Sequence, residues 1–456
     1  MKNIMWIKFL WIFMVVHHLG ANPQRITVGL SADYPPFEFK QGENIVGFDV
    51  DLAKAIGKEI GAEIKIQDMS FSSLLSALHQ NDVDIIISSV TSTPERKKNF
   101  DFSLPYHFDE LAILYRTDRP IDEKNLVGKT IACQIGSAMH TWLNKNTTKT
   151  KIVPMDVATQ MAEALKAGHV DGVLIDAIQA KEFIKNSKNL AFSVVGRSQE
   201  GCSVMTRKGS PLVTKINEAI IKLKQNGTLD NLHKKWIEGN SQTKSHTLLK
   251  DFIFIVKGLP TTLTYSFFSV LLGGFLGIFF AVSRHLHHGT WVITSIISVI
   301  RGTPVLLQLG FIYFSLPALI GIKLSVLAAG VITLGINSAA YITEILRSGL
   351  QSLPKGQFEA CQALGISKWH SWKDIILPQV LRNVFPSLIN EVVTLTKETA
   401  LISVLGEMDI LRRAQTLAAE TYDYFLPMCL AGGVYYLLIK TIEFLGKTIE
   451  KRWYHA

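Results

Sequence analysis

The 456-residue chain is predicted to fold as a two-lobed α/β domain followed by an all-α transmembrane domain of five helices. Between about residues 25 and 240, short β-rich runs alternate with amphipathic stretches, and beyond about 250 long runs carry almost no charge. The composition agrees: 48% hydrophobic and 19% charged residues are too apolar for a solvated, disordered chain. A net charge of +9 suits either nucleic acid or the cytoplasmic face of a bilayer.

Residues 1–21 place Lys2 and Lys8 around the apolar run Phe9–Val16 and end on Gly20 and Ala21, the pattern of an export signal. His17 and His18 interrupt it, so an uncleaved N-terminal anchor stays open; in both cases the following domain leaves the cytosol. Residues 25–240 then alternate through Ile26–Leu30, Phe48–Glu59, Ile64–Ile66, Phe71–His79, Ile85–Ile87, Thr130–Ile135, Val157–Lys166 and Gly172–Ile175. Two such blocks, split near Arg116–Glu123 and rejoined near Gly201–Thr206, predict two lobes with a cleft between them. Asn226–Trp236 is predicted to close the domain as a helix, and residues 241–250 to begin as a polar linker.

Residues 251–456 form the membrane domain. Leu259–Ser283 is uncharged and long enough, at about 37 Å of helix, for a hydrocarbon core of about 30 Å. Further spans are expected at Gly302–Ile322, Leu324–Thr343, Leu388–Leu405 and Tyr424–Ile439. An odd count behind an exported domain puts the N-terminus outside and the C-terminus inside. Arg284, Arg301, Arg347, Lys355, Lys368, Lys373, Arg382, Lys447, Lys451 and Arg452 then fall inside, against Lys323, Arg412 and Arg413 outside. The two adjacent arginines are the weakest part of that assignment.

The longest inside loop carries Glu359-Ala360-Cys361-Gln362-Ala363-Leu364-Gly365 and, nine residues later, Ile375-Ile376-Leu377-Pro378. This resembles the EAA loop of ABC importer permeases, with Cys361 as the one departure. Such a loop is a short helix that docks into a groove of a separate ATPase, Glu359 and Ala360 facing the partner and Gly365 allowing a tight turn. Arg301-Gly302-Thr303-Pro304 opening a helix, Asn337 and Leu395–Leu401 are similar to the polar amino-acid permease subfamily. In the first half, Ser31–Glu38, Gly47–Leu52 and Thr93-Pro94-Glu95-Arg96 resemble periplasmic amino-acid-binding proteins. The two resemblances together cover almost the whole chain and imply a binding protein fused to its own permease, in a bacterial inner membrane.

That resemblance implies the ligand residues. Arg96 matches the arginine that holds an α-carboxylate, which its planar fork can do bidentately. Ser89 and Thr91, at a strand exit, can add donors, and Asp176 matches the acid that pairs with the α-ammonium; capping of the following helix is its alternative. Tyr34 and Phe71 match the aromatic pair around the ligand side chain, and Ser137 is a candidate donor from the second lobe. Ser31 stands where several relatives carry an acid, and Asp33 and Glu38 are expected to lie outside the pocket. Arginine or lysine is the first expectation for the ligand, glutamine the alternative.

Charge inside a span is costly, so Glu391, Lys397 and Glu398 are expected to line the path, with Glu391 meeting the passing ammonium. No G-x-x-x-x-G-K-[ST] is present, because Glu123 stands where Gly128-Lys129-Thr130 would need a glycine. A cytoplasmic ATPase subunit dimer is therefore expected as partner, along with a homodimer of this chain and membrane lipid, with no nucleic acid, cofactor or metal. An enzyme or a ligand-sensing receptor on the same scaffold is disfavoured, since neither needs the EAA loop. Four widely spaced cysteines argue against a disulfide framework, leaving a Cys133–Cys202 bridge as a minor alternative.

Overall fold

The computed structural model describes residues 24–455, apart from 122–125, 199, 240–246, 286–288 and 322–323. The expected export segment at 1–21 and most of the linker lie outside the described residues. The first lobe is built on a sheet with the strand order Ala62–Asp68, Gln24–Leu30, Ile85–Ile86, Met205–Arg207, Phe100–Phe102. Ile26, Val28 and Leu30, alternate residues on one face of their strand, are all buried, and Gly29 is buried on the other face. Helix Phe48–Ile60 covers one face and ends at Gly61, whose φ of 69° is the left-handed value that favours glycine. It begins after Gly47, where a Cβ would lie 2.2 Å from the Phe37 carbonyl oxygen.

The second lobe has the order Lys151–Met155, Thr130–Gln134, Gly172–Asp176, Glu110–Arg116, Leu190–Arg197. Glu110–Arg116 pairs antiparallel with Gly172–Asp176, so it already belongs to this lobe. The first crossing therefore lies ahead of it and not near Arg116–Glu123: the polar stretch after Arg116 is a turn inside the lobe. The two crossing segments pair with each other, Tyr106 N–H donating to the Cys202 carbonyl at 2.9 Å and Cys202 N–H to the His107 carbonyl at 2.7 Å. Two short adjacent links of this kind form a hinge. Cys133 and Cys202 are both free thiols.

In the second half, Leu248–His285, Val326–Gln351 and Phe425–Arg452 are each long and apolar enough to cross a membrane. Thr290–Gly302 and Val305–Ser315 pass that test only together and are bent by 107°. The residues expected as the second span, Gly302–Ile322, thus begin at this bend, which Arg301–Pro304 marks, and the apolar stretch extends ahead of it to Thr290. Pro304 has no N–H to continue a helix, and Gln308 secures the corner by donating to the carbonyls of Ile300 (2.7 Å) and Thr303 (3.1 Å). Leu377–Glu398, with the 3₁₀ turn Thr399–Leu405 behind it, carries Glu391, Lys397 and Glu398 and is not apolar enough to pass. Leu259–His285 and Val326–Gln351 pack through small residues: a Cβ on Gly273 would lie 2.9 Å from Ser338 Cβ, and one on Gly277 2.7 Å from Ile342.

The two halves meet along residues 404–424. Ser70 N–H donates to the Val404 carbonyl at 3.2 Å, and Gly406, at φ 85°, lies so close that a Cβ would be 1.9 Å from the Asp68 carbonyl oxygen. From helix Ile410–Thr421, Arg412 reaches Asp33 and Asp68, while both Arg413 Nη atoms reach the Glu43 carboxylate at 2.9 and 3.2 Å. Tyr422 donates to the Pro35 carbonyl of the first lobe at 3.3 Å and meets Phe183 of the second edge-on at 5.0 Å. Arg412 and Arg413, the residues that fit the charge count worst, are thus paired with acids of the α/β domain.

Candidate functional site

All seven residues predicted to bind ligand, Tyr34, Phe71, Ser89, Thr91, Arg96, Ser137 and Asp176, line one narrow cleft between the lobes. Arg96 sits on the short helix Pro94–Lys97, whose first turn is capped by Thr93. Its guanidinium donates to the carbonyls of Thr91 (2.9 Å) and Gly136 (2.8 Å) and lies 6.0 Å from the Phe71 ring centroid. Burial lowers its pKa to about 10, which leaves it charged at neutral pH. Ser89 takes a φ of 45°, which turns its N–H onto Asp49 Oδ2 at 2.6 Å and leaves its buried hydroxyl without a hydrogen-bond partner.

Asp176 closes strand Gly172–Asp176 and occupies the cap position of helix Ala177–Asn186, yet its side chain makes no capping bond. It accepts instead from the Tyr34 hydroxyl across the cleft, and its other oxygen is buried without a partner. Burial first, and then the nearby Asp109 charge, push its pKa well above the usual carboxylate range, opposed by the Tyr34 hydrogen bond. Ser137 is committed locally: it accepts from His140 N–H at 3.2 Å and donates to the Gln134 carbonyl at 2.7 Å. Inside the cleft the lobes are bridged by Arg96 to Gly136 and Tyr34 to Asp176, two contacts that a ligand carboxylate and ammonium can replace, and at its exposed edge by the Lys145–Glu95 ion pair at 2.6 Å.

Asp33 and Glu38 also line the cleft, contrary to expectation. Glu38 accepts from Ser88 Oγ at 2.6 Å, and burial together with the neighbouring Asp49 raises its pKa well above normal. Asp33 accepts from Ser31 Oγ at 2.9 Å and faces Arg412 with its second oxygen. No local pattern marks it, because its partner is 379 residues further along the chain.

In the long loop, helix Lys355–Ala363 leaves Glu359 and Ala360 exposed and buries Cys361, the one departure from the EAA pattern. Gly365, at φ 66°, turns the chain, and Ile366 N–H returns to the Cys361 carbonyl at 3.0 Å. Leu364 (76% exposed) and Trp369 (69%) flank the turn as an apolar pair absent from the expectation. Glu391 is brought to neither place. It is buried mid-helix, accepting from Ser338 Oγ at 2.8 Å, beside Glu398, which accepts from Asn337 at 3.2 Å; Lys397 is exposed.

A cleft on a hinged α/β pair joined to a domain of long apolar helices is the architecture of a substrate-capturing membrane transporter. Residues 26–239 match the bacterial extracellular solute-binding proteins, family 3, and residues 273–453 match the inner membrane component of binding-protein-dependent transport systems. The second half is 48% identical over 202 residues to a putative glutamine transport system permease protein GlnP of Rickettsia typhi, covering 44% of this chain and 93% of that one. It is 41% identical over 201 residues to the arginine transport system permease protein ArtQ of Bacillus subtilis, covering 44% and 92%. The first half is 38% identical over 225 residues to the arginine-binding extracellular protein ArtP of Bacillus subtilis, covering 48% and 88%. Among solved structures, a mutant ArgBP from T. maritima is 40% identical, covering 47% of this chain and 96% of that one, with a TM-score of 0.44. The chain belongs to both families: it is a solute-binding protein fused to its permease, a multi-pass inner-membrane subunit of an amino-acid ABC transporter and not an enzyme.

Proposed function

We propose that the chain captures a polar amino acid outside the inner membrane and, as a homodimer with five spans per copy, forms the path by which a cytoplasmic ATPase dimer drives its import. The observation that carries this reading is the placement of the Arg96 guanidinium and the Asp176 carboxylate on opposite lobes of one cleft. An α-amino acid satisfies both at once, and exchanging the Arg96–Gly136 and Tyr34–Asp176 contacts for ligand contacts ties its binding to lobe closure. Residues 25–240 form the binding unit and 251–456 the permease unit, preceded by an export signal or anchor at 1–21. Glu359, Ala360 and Gly365, with Leu364 and Trp369, present the surface to the ATPase, one loop per permease copy, and lipid covers the apolar helices.

Arginine or lysine is the preferred ligand, supported by the aromatic walls Tyr34 and Phe71 and by the arginine-binding relative of the first half. Glutamine is the second reading, favoured by the relatives of the second half. Thermal shifts of the full chain in detergent with each amino acid separate them, since ligand at 100 times its dissociation constant adds about 2.7 kcal/mol. Stabilisation by arginine and lysine supports the first reading and stabilisation by glutamine alone the second. No shift with any amino acid would contradict both. A monomeric mass for the solubilised chain would contradict the homodimer.

A further inference from the structure

Asp33 has two faces. One lines the ligand cleft beside Ser31, whose hydroxyl donates to Asp33 Oδ1 at 2.9 Å. The other meets the permease half: Asp33 Oδ2 lies 3.4 Å from Arg412 Nη1. Arg412, only 2% exposed, places Nη2 at 2.7 Å from Asp68 Oδ1, and Lys40 Nζ stands 2.7 Å from the other Asp68 oxygen. Counting only the ion-paired groups, the α/β domain thus contributes two acids and one lysine, a net charge of −1, with Asp156 as a further acid near Asp33 and Arg412. Arg412 brings the paired groups to zero.

The cation that balances the wall of the ligand cleft therefore belongs to the permease. Asp68 is held below its usual pKa by Arg412 and Lys40, which outweigh its burial, so it is a carboxylate with its own partners. Glu38, the other cleft acid, is buried against Asp49 and pushed towards its neutral form. Burial raises the Asp33 pKa as well, with Arg412 pulling against it. Asp33 is the cleft acid that geometry joins to the permease, one oxygen on Ser31 and the other facing Arg412, so its charge in the cleft depends on whether Arg412 stands behind it. Charges within several ångströms in a water-poor site interact strongly, so a cation behind the wall disfavours a second cation in front of it.

We propose that Arg412 is a positioning residue that sets ligand selectivity from outside the cleft: with the α/β domain seated on the permease, its guanidinium cancels the Asp33 charge and weakens the hold on a cationic side chain selectively. This rests on the amino-acid-importer reading above and adds to it a release device. A cationic amino acid is held more tightly before seating than after it, whereas a neutral amino acid of similar length is nearly indifferent.

The test compares dissociation constants of L-arginine and L-glutamine for the full-length chain in lipid nanodiscs. Arg412→Gln is expected to shift the ratio about tenfold towards arginine. Arg412→Lys is expected to stay within about threefold of the wild type, since it keeps the charge. Adding Asp33→Asn to Arg412→Gln is expected to return the ratio to the wild-type value. Asp33→Asn alone, which leaves Arg412 in place, is expected to shift the ratio about tenfold towards glutamine and serves as the independent variant should Arg412→Gln fail to fold. A purely structural role would weaken both ligands alike. An unchanged ratio in Arg412→Gln, or a shift that survives Asp33→Asn, would overturn the inference while leaving the importer reading standing. If the wild-type chain bound neither amino acid, the importer reading itself would fall, and the inference with it.

Discussion

The ligand cleft and the interface between the two halves are built from the same kinds of residue, arginines, acids and tyrosines, yet are wired differently. In the cleft, Arg96 leans on a backbone carbonyl of the opposite lobe, and Asp176 is matched by a tyrosine hydroxyl and keeps one oxygen unpartnered. These are contacts that a zwitterion can replace with better ones. At the interface, Arg412 meets two carboxylates and Arg413 a third, inside a surface where even a Cβ on Gly406 has no room. Full charge against full charge leaves a ligand nothing to improve. Charges met by neutral partners thus mark the site that exchanges them, and charges met by opposite charges mark the one that holds, even though Arg412 Nε itself is buried without a partner.

If that contrast is correct, the two regions must separate in mutants. The largest separation is expected at the cytoplasmic loop, remote from both. Leu364→Asp together with Trp369→Asp places charge on the exposed apolar pair and is expected to lower ATP-driven uptake by at least about 30-fold, with amino-acid affinity unchanged. Next comes Tyr422→Ala, which removes an aromatic ring lying against both lobes and is expected to weaken the seating of the α/β domain by about 3 kcal/mol. Distances between spin labels on the two halves would broaden in that variant. Unchanged distances would show that the interface is not held where the structure places it.

A smaller effect sharpens the description of the cleft. The Asp176 pKa is raised by burial and by Asp109, so the ligand-free folded state favours its protonated form. A raised carboxyl pKa adds stability that is fully present below the unfolded-state value and is lost as pH rises through the folded one. An arriving ammonium favours the ionised form, so ligand binding is expected to release protons, up to about one per site, and affinity to rise with pH across that window. Calorimetry in buffers of differing ionisation enthalpy reads this directly, and Asp176→Asn is expected to abolish the release. The smallest effect is expected at Glu391, where Gln can keep the Ser338 hydrogen bond: uptake should fall about threefold to tenfold with binding unchanged. Full uptake in Glu391→Gln would remove it from the path.

That the seven residues share one cleft was legible in the sequence because each sits in a short motif near a strand exit or helix start, where local chemistry fixes the geometry. Arg96 follows Thr93 and Pro94 into a first helical turn, and Asp176 ends an apolar strand. The apolar helices were legible for the reason that lipid demands them. The hinge position was missed because Thr117–Pro120 carries the polar turn signal of a boundary while Glu110–Arg116 pairs within the second sheet. The bend at Pro304 was hidden inside a hydropathy pattern that reads the same for straight and broken helices. Asp33, Glu38 and the interface were not legible, because their roles are fixed by residues such as Arg412 that approach only in the folded chain. Two outside arginines that resisted the charge count were the one sequence sign that something acidic would meet them.

In the proposed function the Arg96 and Asp176 cleft binds an amino acid by its α-carboxylate and α-ammonium. Its most direct test is equilibrium binding of radiolabelled L-arginine and L-glutamine to the full-length chain, wild type against Arg96→Gln. Micromolar or tighter binding of at least one of them by the wild type is expected, weakened by about 30-fold or more when the guanidinium is removed. Binding of equal strength in Arg96→Gln, or none in the wild type, would contradict it.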